Sequence, residues 1–166
     1  MLAILAASFA ILALGQDSPE IRQTKAKLAL DATGLIYQTT ASGRSYSIVF
    51  DHENKRQRTV FMSNVPNFSN GLVTYNLYTQ VWGSDKAPDA ELLKKVMTKV
   101  KKVGAFYLYK DTNQMWSIRF GARLDATDMP ENPKPDDNLV KSLKDFIYLI
   151  NAVGEETALE LKGKQE

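Results

Sequence analysis

Residues 104–124 read GAFYLYKDTNQMWSIRFGARL. In the second half Trp116, Ile118, Phe120, Ala122 and Leu124 alternate with Ser117, Arg119 and Arg123. A period of two sends one set of side chains to each side of a pleated strand, here an apolar set inward and a polar set outward. Residues 106–110 form a matching run, and Asp111-Thr112-Asn113-Gln114 between them has turn composition. The stretch predicts an antiparallel hairpin, and the remaining elements are read outward from it.

Upstream lies the clearest helical pattern, residues 87–103, with Leu92, Val96, Val100 and Val103 on one stripe beside Leu93 and Met97. Pro88, Asp89 and Glu91 suit its start, Lys99, Lys101 and Lys102 its last turn, and Gly104 its exit. Before it, residues 72–82 (LVTYNLYTQVW) make the longest strand, with Val73, Tyr75, Leu77 and Val81 expected on one face and Thr74, Asn76, Tyr78, Gln80 and Trp82 on the other. Two shorter strands precede it, one with Tyr46, Ile48 and Phe50 inward and one with Val60 and Met62; residues 66–71 read as a loop. A first helix begins at Asp17 or Ser18 and ends at Gly34, with Ile21, Leu28 and Leu35 on its stripe and Thr24 and Ala32 between them. Downstream, residues 125–138 hold three prolines and five acids and predict an exposed loop. A closing helix carries Leu139, Leu143, Phe146, Ile147, Ile150 and Val153, with Gly154 as a place where it could bend.

Strands cluster and are joined by hairpin-length loops, so the fold class is α+β: an antiparallel sheet of about five or six strands with three helices. At 166 residues the chain is long enough for one domain with its own core. Residues 1–15 (MLAILAASFAILALG) hold no charged side chain and fall short of the about 20 apolar residues a membrane-spanning helix needs. They read as a signal peptide, with Ala13 and Gly15 placed for cleavage before Gln16. The expectation is a periplasmic or secreted domain, residues 16–166, with no integral membrane segment after cleavage.

The order helix, strands, helix, hairpin, helix resembles the YbjN domain, which shares the type III secretion chaperone-like fold. The residues that carry the resemblance are the hairpin quoted above and the closing helix NLVKSLKDFIYLINAV, residues 138–153. It implies a single domain that binds protein without catalysis and is often dimeric.

The chemistry points the same way. There is no Cys, which excludes thiolate metal sites and a thiol nucleophile, and a single His, His52, excludes any site needing two imidazoles. His52 lies in the polar turn Asp51-His52-Glu53-Asn54-Lys55, where a solvated ring is expected. No phosphate-cradling glycine loop, nucleophile elbow or zinc-helix motif occurs. Asp125, Asp128, Glu131, Asp136 and Asp137 crowd one loop without EF-hand spacing and read as a solvated connector. Six lysines and three acids give residues 85–102 a net charge of +3, but without interleaved aromatics this is the solvent face of an amphipathic helix rather than a nucleic-acid interface. No catalytic residue, metal ligand or cofactor is assigned.

The candidate binding residues are aromatic. Tyr78 and Trp82 on one strand, and Tyr107 and Tyr109 on another, lie opposite the faces assigned to the core. Tyr and Trp supply large contact area for little lost entropy. The reading is a non-enzymatic binding or chaperone-like module that contacts another protein or a second copy of itself, with no nucleic-acid partner. The alternative is a carrier holding a small apolar ligand between sheet and helices.

Overall fold

A computed structural model describes residues 19–99 and 103–162, with side chains from Lys25 onward. The signal segment, the cleavage point at Gln16, the helix start at Asp17 or Ser18, and Val100, Lys101 and Lys102 lie outside the described residues, as do the side chains of Ile21 and Thr24. Three helices, α1 (Pro19–Thr33), α2 (Ala90–Met97) and α3 (Asn138–Lys162), accompany seven strands: β1 (Gln38–Thr39), β2 (Ser45–Asp51), β3 (Gln57–Ser63), β4 (Asn67–Ser69), β5 (Leu72–Ser84), β6 (Ala105–Lys110) and β7 (Trp116–Asp125). The strands form one antiparallel sheet in the order β1-β2-β3-β5-β7-β6, with β4 folded back on the start of β5. The α+β expectation holds.

The expected alternation sets the inner face. Tyr46 and Ile48 of β2, Val60 and Met62 of β3, Tyr75 and Leu77 of β5 and Ile118, Phe120 and Leu124 of β7 are all buried. Cross-strand register carries the layer through the sheet, with Ile48 opposite Val60, Met62 opposite Leu77, and Phe106 opposite Phe120. Helix α3 lies on β3, β5 and β7, and α1 packs on α3. Leu143, Ile147 and Ile150 of α3 are fully enclosed between these layers.

The structure departs from the sequence reading at several places, each with a physical reason. The expected loop at residues 66–71 contains a strand. Ser69 pairs with Leu72, so Asn70-Gly71 is a two-residue hairpin turn, both residues at positive φ (51° and 81°), the geometry that matches strand twist. Helix α1 buries Ala26, Ala29, Leu30 and Thr33 rather than the stripe of Leu28 and Ala32, which are only half-buried. Alanines on the packed side let α1 approach α3 closely, and a search for large apolar residues overlooks them. Helix α2 is shorter than residues 87–103. It is capped by Asp89, whose carboxylate accepts from Leu92 N–H at 2.7 Å, starts at Ala90 and ends at Met97. The acidic loop is anchored, because Ala126 and Met129 within it are buried.

Gly154 does not bend α3, which runs unbroken through it. Its missing side chain serves close approach, since a Cβ there would penetrate Thr79 Cγ2 and sit 3.1 Å from Arg58 Cδ. Gly154→Ala should therefore destabilise by about 1–3 kcal/mol, the usual range for overpacking. Thr79→Ser, which lacks the methyl in the way, should recover part of the loss in denaturant melts of the double variant. An Ala variant as stable as the parent would mean the helix can lift at no cost.

Candidate functional site

No helix packs on the outer face of the sheet among the described elements; α1 and α3 lie on the other side and α2 meets β6. Four side chains stand in a row across that open face. Phe61 of β3 is directly opposite Tyr78 of β5, and their rings stack with centroids 5.1 Å apart and planes 20° apart. Beyond Tyr78 the Arg119 guanidinium of β7 lies 4.6 Å from the Tyr78 ring and 3.6 Å from the Tyr109 ring of β6. Arg119 is thus held between two tyrosines, an arrangement that suits its flat, weakly hydrated charge. Its Nε also donates to Ser117 Oγ at 3.2 Å.

Tyr107 stands directly across from Arg119. Burial pushes the Tyr107 and Tyr78 hydroxyls above the ordinary tyrosine range, and the nearby Arg119 charge only partly opposes this, so both remain neutral donors. Gly121 makes the crowding possible. A Cβ there would come within 3.0 Å of Tyr107 Cε1 and 3.2 Å of Tyr78 Cβ. Next to it, Asn76, Tyr107, Arg123 and the bare backbone at Gly121 line an open groove of about 500 Å³.

The stacking geometry restricts what the face can take. Rings stacked at the interstrand spacing stand upright on the sheet and use their flat sides on each other. The Phe61 and Tyr78 rings use a flat side on each other, and Arg119 covers a side of Tyr78 and of Tyr109. Held side chains of this kind lose little freedom when a partner arrives.

Of the four expected aromatic residues, Tyr78, Tyr107 and Tyr109 share the outer face; Trp82 does not. The register of β5 on β7 slips between Gln80, opposite Arg119, and Trp82, opposite Ile118. Val81 is the extra residue of a β-bulge, so both Val81 and Trp82 turn toward the helices. Trp82 there joins Leu92 and Leu161 in lining an open pocket of about 650 Å³ beside α2. Phe61 and the central role of Arg119 escaped the sequence reading, because only the pairing register brings four strands into one row.

A second polar cluster was also missed. Glu155 of α3 is nearly buried and meets two arginines of β3 and the turn before it. Arg58 Nε donates to Oε2 at 3.1 Å, Arg56 Nε lies 3.0 Å from Oε1, and Arg58 Nη1 donates to the Gln80 carbonyl at 2.6 Å. Burial pushes the Glu155 carboxyl up, but the Arg58 hydrogen bond and the charges of His52, Arg58 and Arg56 outweigh it and hold the group below its ordinary value. His52 is not a free surface ring, since its Nε2 is hydrogen-bonded to Asn151 Oδ1 at 3.0 Å. The Arg58 and Arg56 contacts to Glu155 tie α3 to the sheet, and the cluster is a structural clamp.

The acidic loop spends carboxylates on its own backbone. Asp125 accepts from Thr127 N–H at 3.0 Å and from its hydroxyl at 2.7 Å, and Asp137 accepts from Lys134 N–H at 2.7 Å. Among the described residues no group of three or more His, Asp and Glu is placed to hold a metal ion, and no helix is long and apolar enough to cross a membrane. Lys95 of α2 donates to the Glu160 carbonyl and Lys99, just past the helix, pairs with the Glu160 carboxylate, so part of the basic stripe is tied to α3. Comparison with models of known protein families, with curated proteins and with solved structures finds no match for this chain.

Proposed function

We propose that this chain is an exported, non-enzymatic binding module that docks a protein partner on its open sheet face, the kind of module that the resemblance to YbjN domains implies. The observation that carries the reading is the row Phe61, Tyr78, Arg119, Tyr109, in which a guanidinium is held between two rings on a face no described helix covers. Tyr and Arg dominate the energetics of protein interfaces, and this row presents both already ordered. Export rests on the uncharged apolar run at residues 1–15. The layer between sheet and helices, where a small apolar ligand would sit, is filled by Leu30, Ile48, Met62, Leu143 and Ile147, and Gly154 touches down on Thr79, which favours the outer face over an interior site.

The test compares capture of partners from the envelope fraction of the source cell by the parent and by Arg119→Ala. Removing the central cation should weaken capture by about thirtyfold or more, as loss of an interface hot spot does. The melt should fall by only about 1 kcal/mol, the worth of an exposed cation–ring contact. Trp82→Ser, on the other face, should leave capture per folded molecule unchanged. Equal capture by parent and Arg119→Ala, or none by the parent, would overturn the reading; an exported protein that does not begin at Gln16 would overturn the processing assigned here.

A further inference from the structure

The sheet has two edges, and they differ. On one side the last strand is β1, two residues long. On the other it is β6, six residues reading AFYLYK, with no proline, no bulge and no charge before Lys110. Prolines, bulges and charges are devices by which an edge strand is kept from pairing, and β6 has only the one charge, Lys110, at its very end.

The direction of its free hydrogen-bonding groups follows from the hairpin. Asp111 N–H donates to the Met115 carbonyl at 3.0 Å, so this pair closes the turn. Pairs alternate along an antiparallel ladder between those that exchange hydrogen bonds and those that do not. Counting back through the register, Tyr109–Ser117, Tyr107–Arg119 and Ala105–Gly121 exchange bonds across the hairpin. The N–H and C=O groups of Phe106, Leu108 and Lys110 therefore point off the sheet. Around them apolar surface is bare: Val103, Tyr107, Leu108, Tyr109 and Met115 are each 37–43% exposed.

We propose that β6 pairs antiparallel with β6 of a second copy of this chain, about a two-fold axis at Leu108, and so joins two sheets into one. The strand fits itself in this register. Leu108 faces Leu108 of the second copy, and Phe106 and Lys110 each face the other's counterpart, giving three pairs that exchange two main-chain hydrogen bonds apiece. On the outer face Tyr107 comes opposite Tyr109 of the second copy, an aromatic cross-strand pair that extends the row of rings. The two Lys110 side chains fall four residues apart along the strands, about 13 Å, and do not repel across the axis. A two-fold contact needs one patch that complements itself, and β6 meets that condition in spacing, polarity and charge. The inference does not rest on what the outer face binds.

The experiment is sedimentation equilibrium with amide hydrogen exchange on the full chain. The parent should sediment at twice the chain mass at micromolar concentration, and the amides of Phe106, Leu108 and Lys110 should be protected in the dimer and lose protection on dilution. Leu108→Lys puts two like charges at the axis and should raise the dissociation constant at least about tenfold. Leu108 lies on the inner face away from Arg119, so this variant leaves the proposed partner face intact, and either reading can fail alone. A parent that stays monomeric, or a dimer in which those three amides exchange freely, would overturn the proposal. So would a folded Leu108→Lys variant that dimerises as the parent does; if that variant does not fold, the exchange pattern of the parent decides.

Discussion

Phe120→Ala should cost about 3–5 kcal/mol of stability, the range for deleting a fully buried ring whose surroundings cannot collapse into the space. Phe120 is inaccessible to solvent and sits where β5, β6 and β7 meet. Its ring packs on Phe106 with centroids 5.0 Å apart, and it reaches so close to Gly104 that a Cβ there would come within 2.8 Å of Cζ. Phe106 is held by its place in the β6–β7 ladder and cannot move in without disturbing that pairing. Urea melts with an unchanged slope would report the loss directly. A loss below about 1 kcal/mol would mean the cavity is absorbed by rearrangement of β6.

The second large effect is expected at Glu155. Removing the carboxylate by Glu155→Ala leaves Arg56 and Arg58 facing each other without a counter-charge, and breaking a nearly buried ion pair from one side costs about 3–5 kcal/mol. The same group gives a pH signature whose direction follows from its depressed pKa. A carboxyl held below its ordinary value of 4.5 adds stability above that pH, where it is ionised in both folded and unfolded chains. This contribution is lost as pH falls through the folded value, when the proton displaces the arginines. Glu155→Gln keeps the shape and removes the titration. Its deficit relative to the parent should be full at pH 6 to 7 and should shrink as pH falls below the ordinary carboxyl value. Parallel stability curves across that range would show that the clamp does not titrate.

Local periodicity was legible wherever one residue type repeats on one side. The alternation from Trp116 to Leu124 placed Ile118, Phe120 and Leu124 in the core, and the same logic put Tyr107 and Tyr109 outward. Periodicity failed where the backbone breaks its own phase without a marker. Gln80-Val81-Trp82 contains no glycine or proline, yet the bulge sends Trp82 to the helix side, and only the partner strand reveals the slip. The Asn70-Gly71 turn was written plainly in the sequence, but its flanking strand β4 is three exposed residues with no apolar alternation to announce it. Side-chain clusters were least legible. Arg58 and Glu155 are 97 residues apart, and Phe61 joins Arg119 only through two intervening pairings. Such contacts depend on strand order, which no short window contains.

The inequality of the two sheet edges, two residues at β1 against six at β6, has a consequence for how far assembly can go. A sheet with two serviceable borders is a bifunctional monomer: each addition exposes a fresh border, and growth runs on to a fibre. With one serviceable border the chain is monofunctional. If β6 pairs as proposed, that association consumes its one long border among the described strands, and what remains outward on both flanks is the stub at β1, too short to template another strand. Such pairing would then be capped at two by valence alone, and a strand left uncovered at that border would carry no hazard of open-ended polymerisation.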